Sequence, residues 1–174
     1  KCALVFLFTM KGVPFVYYGD EIGMDYIPGL PSKEGGYIRT GSRTPMQWDR
    51  TKNAGFSVSD TPYLPTDSRD NAPTVADQEK DPNSLLNFVR TLAQLHKSSK
   101  MLWADGNLEI LHAGYPLAFV REKDGERLLV VINPSSYPVR FACGELKEVL
   151  LAQNVRMEGE DLLLDGISFM VGRM

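Results

Sequence analysis

The spacing of apolar and polar positions changes along the chain, and each change marks a different kind of element. Cys2–Phe8 (CALVFLF) is continuously apolar, but it is too short to span a bilayer and Lys11, Gly12 and Pro14 soon interrupt it. It predicts the end of a buried helix. Gly12–Gly19 (GVPFVYYG) is apolar, aromatic and β-branched, bounded by glycines with a proline near its start. It predicts a strand buried on both faces, as in parallel sheets, with Tyr17 and Tyr18 on opposite sides. Gly, Pro, Ser, Asp and Asn then dominate from Asp20 to Lys80. A loop of that length within a compact domain signals a functional segment. Helical periodicity returns at Asp81-Pro82, a good N-cap and first-turn pair, with Leu85, Leu86, Val89, Leu92 and Leu95 along one face.

Beyond Lys97 the period shortens again. Asn107–His112, Pro116–Glu122, Arg127–Asn133, Val139–Cys143, Lys147–Ala152 and Asp161–Met170 read as strands, separated by Gly-, Pro- and Asp-containing turns. That spacing predicts a small antiparallel β-sandwich. The boundary falls near Ser99–Gly106, which gives two domains, 1–102 and 103–174.

Composition adds mainly exclusions. With 43% hydrophobic residues, 24% charged residues and a formal net charge of −3, the chain has an ordinary globular make-up. Lys and Arg are scattered, so neither a nucleic-acid nor a membrane partner is expected. Two isolated cysteines, Cys2 and Cys143, do not make a disulfide framework, so a reducing, cytoplasmic setting is the expectation. His96 and His112 have no Cys or carboxylate at ligand spacing, so no metal and no cofactor is expected.

The densest chemistry lies in Gly41–Asp49 (GSRTPMQWD) and Asn53–Ser57 (NAGFS). An always-charged guanidinium at Arg43 offers fixed donors to hydroxyls, and an aromatic face at Trp48 can cover the apolar side of a pyranose. Trp48 reads first as the private core of its loop, and Gly55 as a turn residue with an unusual backbone angle. Gln47 and Asp49 read as supports for the loop. Asp20 and Glu21 are adjacent, so as strand residues they face opposite ways and cannot flank one scissile bond. Their expected roles are structural, with Glu21 supporting the site. Trp103, Tyr115 and Tyr137 read as core or edge residues of the sheet.

GVPFVYYGDEIGM at Gly12–Met24, followed by RTPMQWD and NAGFS, resembles the α-amylase superfamily of glycoside hydrolases. The similarity is to the α-glucosidase, oligo-1,6-glucosidase and trehalose synthase branch, and it runs closely from Thr9 to Lys97. It implies the end of helix 7, strand 8, loop and helix 8 of a (β/α)8 barrel, that is, its last βα unit, ahead of an all-β domain. It also implies that Arg43 contacts the glucosyl unit in the terminal subsite. The family's three catalytic carboxylates would precede Lys1, a residue that opens the chain without an initiator Met. The expected catalytic set within these residues is therefore empty. The implied activity is a retaining hydrolysis of short α-linked glucosides or oligosaccharides, carried out by the intact enzyme and not by this stretch alone. An isomerase or transglycosylase on the same scaffold and a non-catalytic glycan-binding piece are the alternatives. The segment DYIPGLPSKEGGYIRT is shorter than the insertion of many oligo-1,6-glucosidases, so that exact specificity is not implied. With both edges of Gly12–Gly19 lacking neighbours, self-association or disorder of the first segment is also expected.

Overall fold

The computed structural model describes residues 1–33, 35 and 39–174, so part of the short segment after Met24 lies outside the described residues. Two compact units are present, one formed by Lys1–Phe15 with Thr91–Met174 and the other by Val16–Arg90.

The first unit is dominated by an antiparallel sheet of β1 (Asn107–Ala113), β2 (Leu117–Lys123), β3 (Glu126–Asn133), β4 (Val139–Ala142), β5 (Glu148–Glu158) and β6 (Asp161–Arg173). The order is β1-β2-β3-β6-β4, with β5 also pairing with β6. Leu128–Asn133 of β3 pairs with Ser168–Arg173 of β6, whereas β4 pairs with Asp161–Leu164. Strand β6 therefore changes neighbour half-way along, and Gly166 sits at the change. A Cβ there would lie 2.5 Å from the Ser136 carbonyl oxygen, closer than any side chain tolerates.

Ala118, Val120, Leu129, Val131 and Met170 pack with Leu162, Leu164 and Cys143, drawing both halves of β6 into one core. Each fully buried Leu or Val of this kind contributes about 1.5–3 kcal/mol. The predicted strands agree closely with those observed. The exceptions are β5 and β6, which run on through irregularities at Val149/Leu151 and Gln153/Val155. Bulges carry strands past positions where the alternation of side chains lapses.

Helix α1 (Cys2–Thr9) buries Cys2, Val5, Phe8 and Thr9. Its end is fixed by Arg121, which is 0% exposed. The guanidinium donates from Nη1 to the Thr9 carbonyl at 2.8 Å, from Nε to Asn107 at 3.1 Å and from Nη2 to Trp103 at 2.9 Å. A buried guanidinium needs each donor met, and here backbone carbonyls meet them. Both cysteines are free and buried. Trp103, Tyr115 and Tyr137 are all half exposed and so lie outside the core.

The second unit contains less regular structure. Helix α2 (Val75–Lys80) lies inside the expected loop, and α3 (Leu85–Ser98) begins in this unit and ends in the other. Thr74 caps α2 by accepting the Asp77 N–H, the pairing that T-V-A-D encodes. Helix α3 starts later than Asp81-Pro82. Ser84 Oγ accepts the Asn87 N–H at 3.2 Å and so takes the capping role. Ile22, Met46 and Leu86 form a small core, flanked by Met24 and Val75. Gln78 braces it, donating to the Ile22 carbonyl at 2.7 Å and accepting the Leu86 N–H at 2.9 Å.

The expected strand at Gly12–Gly19 is not formed. These residues run as coil and turn, with Val13 71% and Phe15 84% exposed. A strand exists only by pairing, and no ladder reaches this segment. Without the pleat, Tyr17 and Tyr18 do not alternate, and their rings lie 4.7 Å apart at 40°.

Candidate functional site

Three stretches of the second unit meet at Arg43. The first is the turn after Tyr17, held by its own carboxylates. Asp20 accepts the Tyr17 N–H at 3.2 Å, and Glu21 accepts the Gly19 N–H at 2.7 Å. Tyr18 then reaches across to donate from its hydroxyl to the Thr44 carbonyl at 3.2 Å. Burial raises the Tyr18 pKa, as does neighbouring Tyr17, while the Arg43 charge pulls it the other way.

The second stretch is the motif loop itself. Gly41 is buried against Ile27, and a Cβ there would lie 2.1 Å from the Ile27 carbonyl oxygen. The same backbones are joined by the Ile27 N–H, which donates to the Gly41 carbonyl at 3.1 Å. Gln47 is buried and donates to the Pro73 carbonyl at 2.5 Å, while its own carbonyl accepts the Val75 N–H at 3.0 Å. The loop is thereby tied to the start of α2. Asp49 accepts both the N–H and the hydroxyl of Thr51, which holds its carboxyl below the usual range.

The NAGFS segment closes this loop through the Ala54 carbonyl, which accepts the N–H groups of Trp48 and Asp49 at 2.8 and 3.2 Å. Asn53, Ala54 and Gly55 are consecutively left-handed, with φ of 53°, 54° and 70°. Asn and Gly adopt that conformation readily, and Asn53 is further held by donating to the Ser57 and Ser59 carbonyls. Trp48 is 49% exposed, contrary to the expected private core. Backbone hydrogen bonds pin this residue and leave the indole outward.

The third stretch, around Tyr63-Leu64, completes a cavity of about 420 Å³ lined by Tyr18, Arg43, Met46, Phe56, Tyr63 and Leu64. A second recess of about 160 Å³ shares Arg43, Tyr63 and Leu64 and adds Lys33 and Arg39. Of the expected site residues, Arg43 lines both cavities. Gln47 and Glu21 support the loop and the turn without lining either, and Asp49 faces a separate polar hollow with Asp67 and Arg69. Tyr63, Phe56, Lys33 and Arg39 are among the lining residues that the sequence did not assign to the site. Among the described residues, no group of three or more His, Cys, Asp or Glu is placed to hold a metal.

Comparison with known proteins identifies the scaffold. The α-amylase catalytic-domain family model matches residues 1–105, and the chain belongs to that family. It is 36% identical over 128 residues to the human amino acid transporter heavy chain SLC3A1, covering 72% of this chain and 19% of that one. It is 38% identical over 148 residues to trehalose synthase of Thermus thermophilus, covering 78% and 14% respectively. It is 32% identical over 177 residues to oligo-1,6-glucosidase of Heyndrickxia coagulans, covering 81% and 31%. The chain thus spans less than a third of the length of each of these relatives. Its fold matches that of the trehalulose synthase MutB from Pseudomonas mesoacidophila MX-45 with a TM-score of 0.85, at 23% identity, over 99% of this chain and 37% of that one.

Proposed function

We propose that this chain is the carboxyl-terminal portion of a retaining α-glucosidase-like enzyme acting on short α-linked glucosides. In this reading residues 1–102 are the last βα unit of a (β/α)8 barrel and residues 103–174 a small β-sandwich. Arg43 binds the terminal glucosyl unit. The observation that carries the reading is the convergence of Arg43 with Tyr18, Phe56 and Tyr63 on one cavity of about 420 Å³. That volume lies within the roughly 300–1,000 Å³ range of small-molecule sites. The ring faces suit the apolar side of a sugar, and the guanidinium suits its hydroxyls. Glu21, Gln47 and Asp49 hold the loops that place Arg43.

A retaining mechanism needs two carboxyls about 5 Å apart across the scissile bond. Asp20 and Glu21 are engaged with the turn, so the nucleophile and the acid/base come from outside these residues. The chain alone should release no glucose from maltose, isomaltose or a chromogenic α-glucoside. In the intact enzyme, Arg43→Ala should lower kcat/KM by roughly ten- to a few hundredfold, because charged hydrogen bonds contribute about 1.5–3 kcal/mol each. Arg43→Lys should restore only part of this. A large fall in Tm with near-normal activity would instead make Arg43 a structural residue.

Two further readings have a specific basis. Similarity to trehalose synthase favours an isomerase, in which a sugar and not water resolves the glycosyl-enzyme, and product analysis separates the two. Similarity to a transporter heavy chain favours a non-catalytic role. Turnover by the intact protein would exclude that one.

A further inference from the structure

The Tyr26-Ile27 segment that packs on Gly41 also lines a hollow of about 630 Å³, together with Asp25, Pro65, Ser68 and Arg69. This hollow shares no lining residue with either cavity at Arg43. Tyr26 is half exposed, and the edge of its ring meets the loop backbone: a Cβ at Gly41 would lie 2.8 Å from Cε2. The Ile27 N–H, bonded to the Gly41 carbonyl, fixes the same segment. Another part of the lining is the Asp67–Arg69 turn. Arg69 donates from Nε to the two Asp67 oxygens at 2.9 and 3.0 Å, and from Nη2 to Asp25 at 2.7 Å. The Asp67 side chain is almost wholly covered, so this ion triad is anchored at one end. Arg50 ties the turn down by donating to the Asp70 carbonyl at 2.7 Å. Among the described residues, Arg69 Nη1, Asp25 Oδ1 and the hydroxyls of Tyr26 and Ser68 make no hydrogen bond.

Those open groups define the ligand. A guanidinium N–H and a carboxylate oxygen left over from one ion pair are a neighbouring donor and acceptor, and two adjacent hydroxyls of a pyranose, one accepting and one donating, complement them. The half-exposed Tyr26 ring can cover the C–H side of that pyranose, and Pro65 adds a rigid apolar edge. With two carboxylates to one guanidinium, the triad disfavours an anion. The volume lies within the roughly 300–1,000 Å³ range of small-molecule sites. We propose that this hollow is a second saccharide site, in which a neutral pyranose unit stacks on Tyr26 while Asp25 and Arg69 hold two of its adjacent hydroxyls. The site goes beyond the α-glucosidase-like reading and does not rest on it.

The test is amide NMR of the 174-residue chain titrated with methyl α-glucoside, maltose, sorbitol and glucosamine, with a thermal melt of every variant. Maltose should shift the Tyr26, Ser68 and Arg69 amides along one saturating curve. Tyr26→Ala should weaken that binding about tenfold or more, whereas Tyr26→Phe keeps the ring and should retain most of it. Arg69→Lys keeps the charge without the planar fork and should weaken it comparably. Arg43→Ala should leave these shifts as they were. Tm and the Gly41 amide report whether Tyr26→Ala has disturbed the loop, and Arg69→Lys carries the test if it has. Unchanged binding in Arg69→Lys would overturn the pairing with adjacent hydroxyls. Shifts confined to Tyr18, Arg43 and Tyr63 would overturn the second site and leave the glucoside reading standing. Shifts at the hollow alone would support this site and count against the Arg43 cavity. Sorbitol bound as tightly as maltose would overturn recognition of a ring, and glucosamine about tenfold tighter than methyl α-glucoside would make the hollow a cation site instead. No shift at the hollow with any sugar would end the proposal.

Discussion

The two units hold their shape by different means. In the sheet unit, β3 and the second half of β6 bury Leu128–Ile132 and Phe169–Val171 almost completely, so stability comes from contiguous apolar burial. In the loop unit the core is Ile22, Met46 and Leu86, and the described path between Tyr17 and Asp81 is fixed at several points by side chains bonded to backbone. Such bonds add only about 0.5–1.5 kcal/mol each, but they are directional. Precise placement of a few groups, as at Arg43, comes from that directionality more than from burial. The region bearing the candidate chemistry is therefore expected to be the less stable of the two.

The contrast can be broken most forcefully at Arg121. Arg121→Ala would leave the buried Thr9 carbonyl without this donor and would take one partner each from the part-buried carbonyls of Asn107 and Trp103, the latter keeping the Gly106 N–H. The unmet buried carbonyl costs about 1–3 kcal/mol and the cavity left by a fully buried side chain about 2 kcal/mol more, so a loss of roughly 3–5 kcal/mol is expected. Calorimetry should show the sheet transition moved down, and hydrogen exchange should show α1 and β1 losing protection together. If only local fraying follows, apolar burial alone carries the sheet unit.

A smaller effect is expected at Gly41 in the loop unit. Gly41→Ala sets a Cβ 2.1 Å from the Ile27 carbonyl, so the backbone must separate. Overpacking of this kind costs about 1–3 kcal/mol. The Ile27 amide should exchange faster, and ligand binding at Arg43 should weaken more than Tm falls. An unchanged Ile27 amide would show that the loop is not held there.

The smallest effect concerns acid. Asp67 has a 6% exposed side chain and is bonded by Arg69, which also pairs with Asp25 at 2.7 Å. The Arg69 hydrogen bonds hold the Asp67 carboxyl below its usual range. A depressed folded pKa gives stability that is present above the unfolded value of about 4 and is lost as pH falls through the folded one. Protection of the Asp67–Asp70 turn should therefore drop below about pH 4. Asp67→Asn should flatten that limb and change stability at neutral pH by no more than about 1 kcal/mol, since Arg69 is half exposed. An unaltered acid limb would remove Asp67 from the account.

How much of this was legible in sequence follows the same division. The six strands could be read because alternation and turn residues repeat at short spacing, and only the β5 bulges and the late turn of β6 blurred their ends. The start of α3 was misread because Asp81-Pro82 is a strong local signal, yet Ser84 holds both Asn87 and the Gln78 carbonyl. The apolar run at Gly12–Gly19 reads as a strand by propensity, but a strand is a property of pairs. Arg43 stood out from its motif. Tyr63, Lys33 and Arg39 did not, because their approach to it depends on where a long loop returns, and no periodicity encodes that.

Strand β6 has a consequence for synthesis. Its second half completes β3 and its first half β4, and β5 joins the sheet only through it. As residues emerge in order, the β1-β2-β3 meander can form early and then waits with the β3 edge open. During that interval Leu128–Ile132 offers an apolar, unpaired template to any neighbouring nascent chain. A ribosomal pause placed shortly before Asp161 would prolong that exposure, whereas brisk translation through the thirteen codons of Asp161–Arg173 would shorten it.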